Sequence, residues 1–120
     1  MRPIEPLCKR YQVAAEIITK RWTALIIKAL MNGPMRFSEI TEYLCPVSDR
    51  VLAERLKELE REQIILRRVW PESPIRVEYA LTEKGYALSP IIEGIEAWSQ
   101  TWIVLQPDSE TPLNPPADPN

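Results

Sequence analysis

The chain begins with two segments whose apolar residues recur every three or four positions, which is the period of an amphipathic helix. The first starts at Tyr11, and the second covers residues 22–32. The second ends at Gly33-Pro34, because glycine accepts the left-handed conformation that closes a helix and proline cannot continue one. The stripes predicted to face the core are Ala14, Ile17 and Ile18 in the first helix and Trp22, Leu25, Ile26, Ala29 and Leu30 in the second.

Two further helices are predicted, with a tight turn between them. One covers residues 38–44 with Ser38 as its N-cap, and the other covers residues 49–62 with Ser48 as its N-cap. Residues 45–47 form the turn, because a proline there forbids a continuous helix. The longer helix is predicted to bury Leu52, Leu56 and Leu59 and to expose Arg50, Glu54, Lys57 and Arg61.

The period then changes to that of a β-hairpin. Residues 64–70 are rich in β-branched and apolar side chains, and residues 76–81 alternate between apolar and polar side chains. The Pro-rich residues 71–74 between them favour a turn, so the two strands are expected to pair antiparallel. The second strand is predicted to place Val77, Tyr79 and Leu81 on one face and Arg76, Glu78 and Ala80 on the other.

A long helical region follows, from the N-cap Thr82 to about Leu105. Pro90 either occupies the first turn of a new helix or kinks a continuous one. This helix carries an apolar seam, which Ile92 and Ile103 widen. A domain of this size has little other surface against which the seam could be buried, so the seam predicts a homodimer. Its members alternate at three- and four-residue spacing, as in helices that pack on helices, and are Leu88, Ile91, Ile95, Trp98, Trp102 and Leu105.

This order of elements predicts a mostly helical α+β fold, a winged helix-turn-helix with a two-stranded wing and a C-terminal dimerisation helix. Residues 1–7 are expected to form a flexible N-terminal arm, and residues 8–105 a winged helix DNA-binding domain with terminal dimerisation helices. Residues 106–120, with five of the 12 prolines, are expected to form a disordered, Pro-rich acidic tail.

Composition argues against several other classes of function. The chain contains no histidine, so a Ser-His-Asp or Cys-His catalytic site cannot be built, and we expect no enzyme, no metal site and no cofactor. Its two cysteines are too few for a disulfide scaffold. No apolar run approaches the ~20 residues that cross a bilayer, and residues 1–10 lack the apolar stretch of a signal peptide. We therefore expect a cytoplasmic protein with no membrane partner.

Because the chain is not basic overall, any binding of double-stranded DNA must depend on a local patch of positive charge. The net charge is −2, and the chain without its acidic tail carries 15 basic and 14 acidic residues. A field of the whole molecule therefore contributes little, and a patch must supply the attraction.

The predicted patch is the start of the fourth helix together with the wing. The second helix of a helix-turn-helix enters the major groove with its N-terminal residues toward the base edges, and wing arginines contact the backbone beside it. The same helix also carries Glu58 and Glu62, and a face of mixed charge is often merely solvated. The candidate DNA-binding residues are Arg36, Ser38, Ser48, Asp49, Arg50, Glu54, Lys57, Arg67, Arg68 and Arg76.

Three segments, "GPMRFSEI", "LAERLKELERE" and above all "WPESPIRVEYALTEKG", resemble the HxlR family of bacterial and archaeal regulators over about residues 8–103. The resemblance implies a winged-helix dimer related to MarR-type regulators that pairs through its first and last helices. Two departures stand out, Thr19-Lys20-Arg21-Trp22 for the usual Gly-Gly-Lys-Trp and Gln63 for the glycine that usually ends the recognition helix. The implied dimer interface is Ile17, Ile18, Leu88, Ile91, Ile95, Trp98, Trp102 and Leu105.

The resemblance also implies a redox role for Cys8. Several members sense electrophiles or oxidants through a cysteine near the N-terminus, at the position that Cys8 matches, although the usual Cys-Pro is Cys8-Lys9 here. The cations of Lys9 and Arg10 would stabilise a thiolate. The alternative is a small hydrophobe packed at the start of the first helix. Cys45, in the turn before the recognition helix, is expected to be structural.

These observations leave three candidate functions. The first is a homodimeric, sequence-specific DNA-binding transcriptional regulator that responds to redox or electrophile signals, with a small electrophile or oxidant as a further partner. The second is a winged-helix protein-interaction module that does not bind DNA, which the acidic balance suggests. The third, a small-molecule enzyme, is disfavoured because histidine and a Gly-rich phosphate loop are both absent.

Overall fold

The computed structural model describes residues 6–106, and within them it confirms a mostly helical α+β winged helix-turn-helix. Residues 1–5 of the predicted arm and 107–120 of the predicted tail lie outside this part. No helix within residues 6–106 is long and apolar enough to cross a membrane. The elements are α1 (Lys9–Ile18), α2 (Thr23–Leu30), α3 (Phe37–Tyr43), α4 (Asp49–Arg61), β1 (Ile65–Trp70), β2 (Arg76–Leu81), α5 (Glu83–Tyr86) and α6 (Ser89–Trp102).

Helix α2 lies at the centre of the core, because it contacts α1, α3, α6 and β2. Its buried surface therefore differs from the predicted stripe. Ile27, outside the stripe, is fully buried, and Leu25, a member of the stripe, is exposed. Helix α1 packs mainly on α2 and buries no residue, so Ala14 is exposed as well. The predicted stripe of α4 is confirmed. The core cluster comprises Ile26, Ile27, Leu30, Ile40, Leu44, Val47, Leu52, Leu56, Leu59, Ile64, Ile65, Leu81 and Ile92.

The two helices of the helix-turn-helix, α3 and α4, are capped differently at their N-termini. The Ser48 hydroxyl oxygen accepts the N–H of Val51 at 3.1 Å, which confirms Ser48 as the N-cap of α4. The prediction for α3 was wrong, because Arg36 is the N-cap and Ser38 already lies inside the helix. The Glu39 carboxylate accepts the N–H of Arg36 at 2.8 Å, which is the bond from the N3 side chain back to the N-cap backbone in a capping box.

The hairpin pairs antiparallel from Ile65 opposite Leu81 to Trp70 opposite Arg76, as predicted. Tyr79 also exchanges two backbone hydrogen bonds with Met35, of 2.9 and 2.8 Å, which fasten the wing to the loop before α3. Ala80, expected on the polar face, is buried, because the base of the hairpin is covered on both sides.

The C-terminal region consists of two helices. The Thr82 hydroxyl oxygen accepts the N–H of Gly85 at 3.1 Å and caps α5, and Pro90 lies in the first turn of α6. Of the two alternatives for Pro90, the start of a new helix is therefore correct. Helix α6 ends at Trp102, so Leu105 lies beyond the helix that was expected to carry it. Ile92 is buried in the core and does not widen the apolar seam, which was wrongly expected.

Gln63 ends α4 with a φ of 60°, in the left-handed region. The N–H of Ile64 bonds the carbonyl oxygen of Leu59 and that of Gln63 bonds the carbonyl oxygen of Glu60, each at 2.9 Å, as in a Schellman motif. A side chain is strained in this conformation and glycine is not.

Gln63→Gly is therefore expected to raise the free energy of unfolding by about 1 kcal/mol, since relief of the left-handed strain exceeds the extra entropy of the unfolded chain. Urea denaturation measures the change. Gln63→Ala is the matched control, because it keeps the Cβ and should give no gain. An unchanged or lowered stability of the glycine variant contradicts the assignment.

Candidate nucleic-acid interface

Helix α4 presents its polar face to solvent because its leucines fix its rotation. Leu52, Leu56 and Leu59 are all buried, and the N-cap Ser48 is exposed. The first turn combines unpaired backbone N–H groups with a partial positive charge, which favours a phosphate. The candidate residues of α4 and its cap that are exposed are Ser48, Asp49, Arg50, Glu54 and Lys57.

A charged network that the sequence did not reveal fixes the side of α4. Glu58 receives Lys20 Nζ at 3.2 Å on one carboxylate oxygen and an Arg55 guanidinium nitrogen at 3.1 Å on the other. Arg55 Nε also donates to the carbonyl oxygen of Arg21 at 3.1 Å. The segment that departs from the usual family run thus contacts the recognition helix directly. Glu58 consequently links α4 to the segment between α1 and α2.

The C-terminal end of α4 is fixed by the segment after the hairpin. Lys84 Nζ donates to the carbonyl oxygen of Glu62 at 2.6 Å, and Thr82 Oγ1 donates to that of Gln63 at 2.6 Å. These bonds satisfy carbonyl groups that a helix end leaves free. Thr82 was expected only to cap the next helix, so this second role was missed. It depends on the proximity of residues about twenty positions apart in sequence.

The wing arginines do not form one patch. Residues paired across an antiparallel sheet share a face, so Arg68, opposite Glu78, lies with Arg76, whereas Arg67, opposite Tyr79, lies on the other face. All three side chains are exposed. Arg36 and Ser38 are also exposed at the start of α3, and Arg36 lines a cleft with the tip of the wing.

Both cysteines are free and exposed, Cys8 at the N-cap of α1 and Cys45 in the turn before α4. An exposed Cys8 excludes the packed-hydrophobe alternative within a single chain. Among residues 6–106 there is no group of His, Cys, Asp and Glu side chains that could hold a metal ion.

The apolar seam of α6 is exposed in the single chain. Ile91 and Ile95 are each 48% exposed, Trp98 is 59% exposed and Trp102 is 68% exposed, although Leu88 is half-buried. Ile17 and Ile18 of α1 are half-buried. An apolar face of this kind usually marks an interface.

Comparison with known proteins agrees with this architecture. The HxlR-like helix-turn-helix family model matches residues 17–107. The HTH-type transcriptional regulator YvaP of Bacillus subtilis is 53% identical over 97 residues, which cover 81% of this chain and 90% of YvaP. YodB of the same organism is 48% identical over 93 residues, which cover 78% of this chain and 83% of YodB.

Solved structures give the same result. Reduced YodB from B. subtilis superimposes with a TM-score of 0.73 and 46% identity, over 82% of this chain and 96% of that one. The redox regulator HypR in its oxidised form superimposes with a TM-score of 0.76 and 28% identity, over 80% of this chain and 99% of that one. YodB has also been solved after diamide treatment and with bound quinone, at TM-scores of 0.70 and 0.69 and 44% identity, over 84% and 80% of this chain and all of each solved chain. The chain therefore belongs to the HxlR-like helix-turn-helix family and is a winged-helix transcriptional regulator.

Proposed function

We propose that the protein is a cytoplasmic homodimer that binds double-stranded DNA sequence-specifically and has no enzymatic activity. The observation that carries the proposal is α4, whose buried leucines and fixed ends leave Arg50 and the first turn facing solvent. A helix held in this way can enter the major groove with one defined side toward the bases.

Each part of the first turn has a separate role. Ser48 uses a lone pair to cap α4, which leaves its O–H free to donate to a phosphate. Arg50 can form two parallel hydrogen bonds to the edge of a guanine. Lys57 lies two turns further along and contacts a phosphate, and Asp49 and Glu54 disfavour the wrong groove position by repulsion.

Salt titration tests DNA binding against the alternative of a protein-interaction module. The protein is incubated with fragments of its source genome, the bound fragments are sequenced, and affinity for the enriched duplex is measured over a range of salt. Counterion release makes a DNA binder lose affinity steeply with salt. If no fragment is enriched and the protein binds no duplex even at low salt, the protein-interaction module is favoured.

Arg50→Ala is expected to weaken binding to the enriched duplex by about 1–3 kcal/mol, because a two-bond contact to a base is lost. The fold should persist, since the side chain is exposed and lies off the leucine stripe. Fluorescence anisotropy measures the change. Arg61→Ala removes the same charge from the far end of α4 and is the matched control. Equal losses in the two variants would remove Arg50 from base recognition.

We further propose that Cys8 responds to electrophiles or oxidants. Its thiol is exposed at the start of α1, and the relatives include YodB, which has been solved with bound quinone and after diamide treatment. A thiolate adds to a quinone ring carbon to form a C–S bond, and the ring oxygen takes up a proton. An adduct at the start of a helix in the dimer interface would change the separation of the two recognition helices.

Cys8→Ser is expected to abolish the effect of a quinone on DNA affinity, whereas Cys45→Ser should respond as the wild type does. Gel shifts before and after treatment measure the response, and intact-mass spectrometry counts the adducts. A Cys8→Ser protein that loses DNA affinity on treatment as the wild type does would end the sensor hypothesis.

A further inference from the structure

Three side chains on one face of the wing form a cluster that the sequence analysis did not identify. The Arg76 guanidinium lies over the Trp70 ring, 5.1 Å from its centroid. Trp70 Nε1 donates to Glu78 Oε1 at 3.0 Å, and the same oxygen lies 3.9 Å from Arg76 Nε. The ring is thus fixed by the carboxylate, and the guanidinium is held between the ring and the carboxylate.

This arrangement leaves the outer end of Arg76 available. The carboxylate faces the Nε side of the guanidinium, and the Arg76 side chain is still 46% exposed. Within residues 6–106 no hydrogen bond engages its terminal nitrogens. An arginine that is already stacked loses less side-chain entropy when it binds an anion than a free one does.

A second arginine lies at the same place. Arg36, Trp70 and Arg76 line a cleft of about 290 Å³ between the start of α3 and the tip of the wing, with Glu72 and Ser73 on its wall. The position of Arg36 relative to the wing is fixed by its neighbour Met35, whose backbone bonds Tyr79 twice. Two arginines that line one cleft suit a tetrahedral anion, because such an anion accepts several hydrogen bonds from guanidinium groups.

We propose that Arg36 and Arg76 bind a single backbone phosphate of DNA, and that Trp70 and Glu78 are positioning residues that hold the guanidinium of Arg76 for it. The proposal rests on the proposed function, since it assumes that the protein binds DNA. It assigns Trp70 a role in affinity without a contact to DNA. Glu72 and Glu78 partly offset the two cations, so the site favours a phosphate that both arginines reach over one that only one reaches.

The test is a double-mutant cycle on a fluorescein-labelled, mixed-sequence duplex of about three helical turns. Trp70→Leu is expected to raise Kd about threefold to tenfold in the wild-type background, the range of an exposed cation–π contact and its ordering effect. In an Arg76→Ala background the same substitution should have no effect. Trp70→Phe keeps a ring face but loses the N–H to Glu78, and should lie between the two.

Salt dependence supplies the readout for the shared phosphate. Arg36→Ala and Arg76→Ala should each flatten the slope of log Kd against log salt by up to about one unit, and together by less than the sum. Arg67→Ala, on the opposite face of the wing, is the control and should add independently to Arg76→Ala. Thermal melting confirms that each variant is folded.

The outcomes separate the two levels of the proposal. A wild-type protein that binds no duplex at low salt overturns the proposed function, and the phosphate site with it. A wild-type protein that binds, with a Trp70→Leu effect that is absent or equally large without Arg76, overturns the phosphate site alone. A merely structural role of Trp70 would lower affinity in both backgrounds.

Discussion

Gly85→Ala is expected to lower the free energy of unfolding by about 3 kcal/mol, the upper range for overpacking a filled site. A Cβ at this position would lie 2.2 Å from the carbonyl oxygen of Ile64 and 3.0 Å from Cδ2 of Leu81. The Ile64 oxygen cannot move aside freely, because it accepts the N–H of Thr82 at 3.0 Å and belongs to backbone that closes α4. Relief therefore requires α5 to separate from the end of the recognition helix.

Urea denaturation at neutral pH measures this loss, and the chain offers a matched control. Gly94 lies in the interior of α6, where a Cβ would meet nothing within 4 Å. Within the single chain, Gly94→Ala is therefore expected to be neutral or to stabilise by about 0.5–1 kcal/mol, because alanine favours a helix. Since Gly94 lies four residues before Trp98, light scattering must show that the variant keeps the mass of the wild type. If both substitutions change stability by the same amount, the close approach of Gly85 to Ile64 has no energetic importance. DNA affinity of the Gly85 variant should fall only with its folded fraction.

The elements that could be predicted from the sequence are those whose pattern is local. The leucines of α4, the cap at Ser48 and the antiparallel pairing of the hairpin follow from spacing and turn chemistry, and the structure agrees. The errors occur where neighbours in space decide the outcome. Leu25 is exposed and Ile27 is buried because four elements cover α2, and Ser38 is not the cap of α3 because the helix already begins at Phe37, where Glu39 accepts the N–H of the N-cap Arg36.

The candidate site shows the same division. Exposure of Arg50 and Arg76 could be predicted, since Arg50 lies off the leucine stripe of α4 and Arg76 lies on the polar face of its strand. Strand alternation alone also places Arg67 and Arg68 on opposite faces, a consequence that the sequence analysis did not use. The contacts of Lys84 with the end of α4 and of Trp70 with Glu78 require the folded register, and no motif contains them.

The seam of α6 is the part of the proposed function with the greatest expected energetic effect. Ile92 is buried toward the core and Glu96 pairs with Lys28 of α2, so this side of α6 is occupied. The opposite side exposes Trp98 and Trp102 together with two isoleucines. Burying a large apolar side chain contributes roughly 1.5–3 kcal/mol, so a second copy that covers this face gains a substantial free energy. A two-fold dimer also separates its recognition helices by about one DNA turn, ~34 Å, as a palindromic site requires.

Trp98→Glu is expected to convert the dimer into a monomer, because the two-fold axis would bring two unpaired carboxylates into a desolvated interface. The expected cost is about 3 kcal/mol or more, which raises the dimer Kd by over 100-fold. Trp102→Ala should weaken association by about tenfold or more, as truncation of a tryptophan at an interface does. Light scattering at micromolar concentration measures the mass. Gln100→Glu adds the same charge to the other side of α6 and should remain dimeric. A wild-type monomer would refute the dimer, and with it the reason to expect a palindromic site.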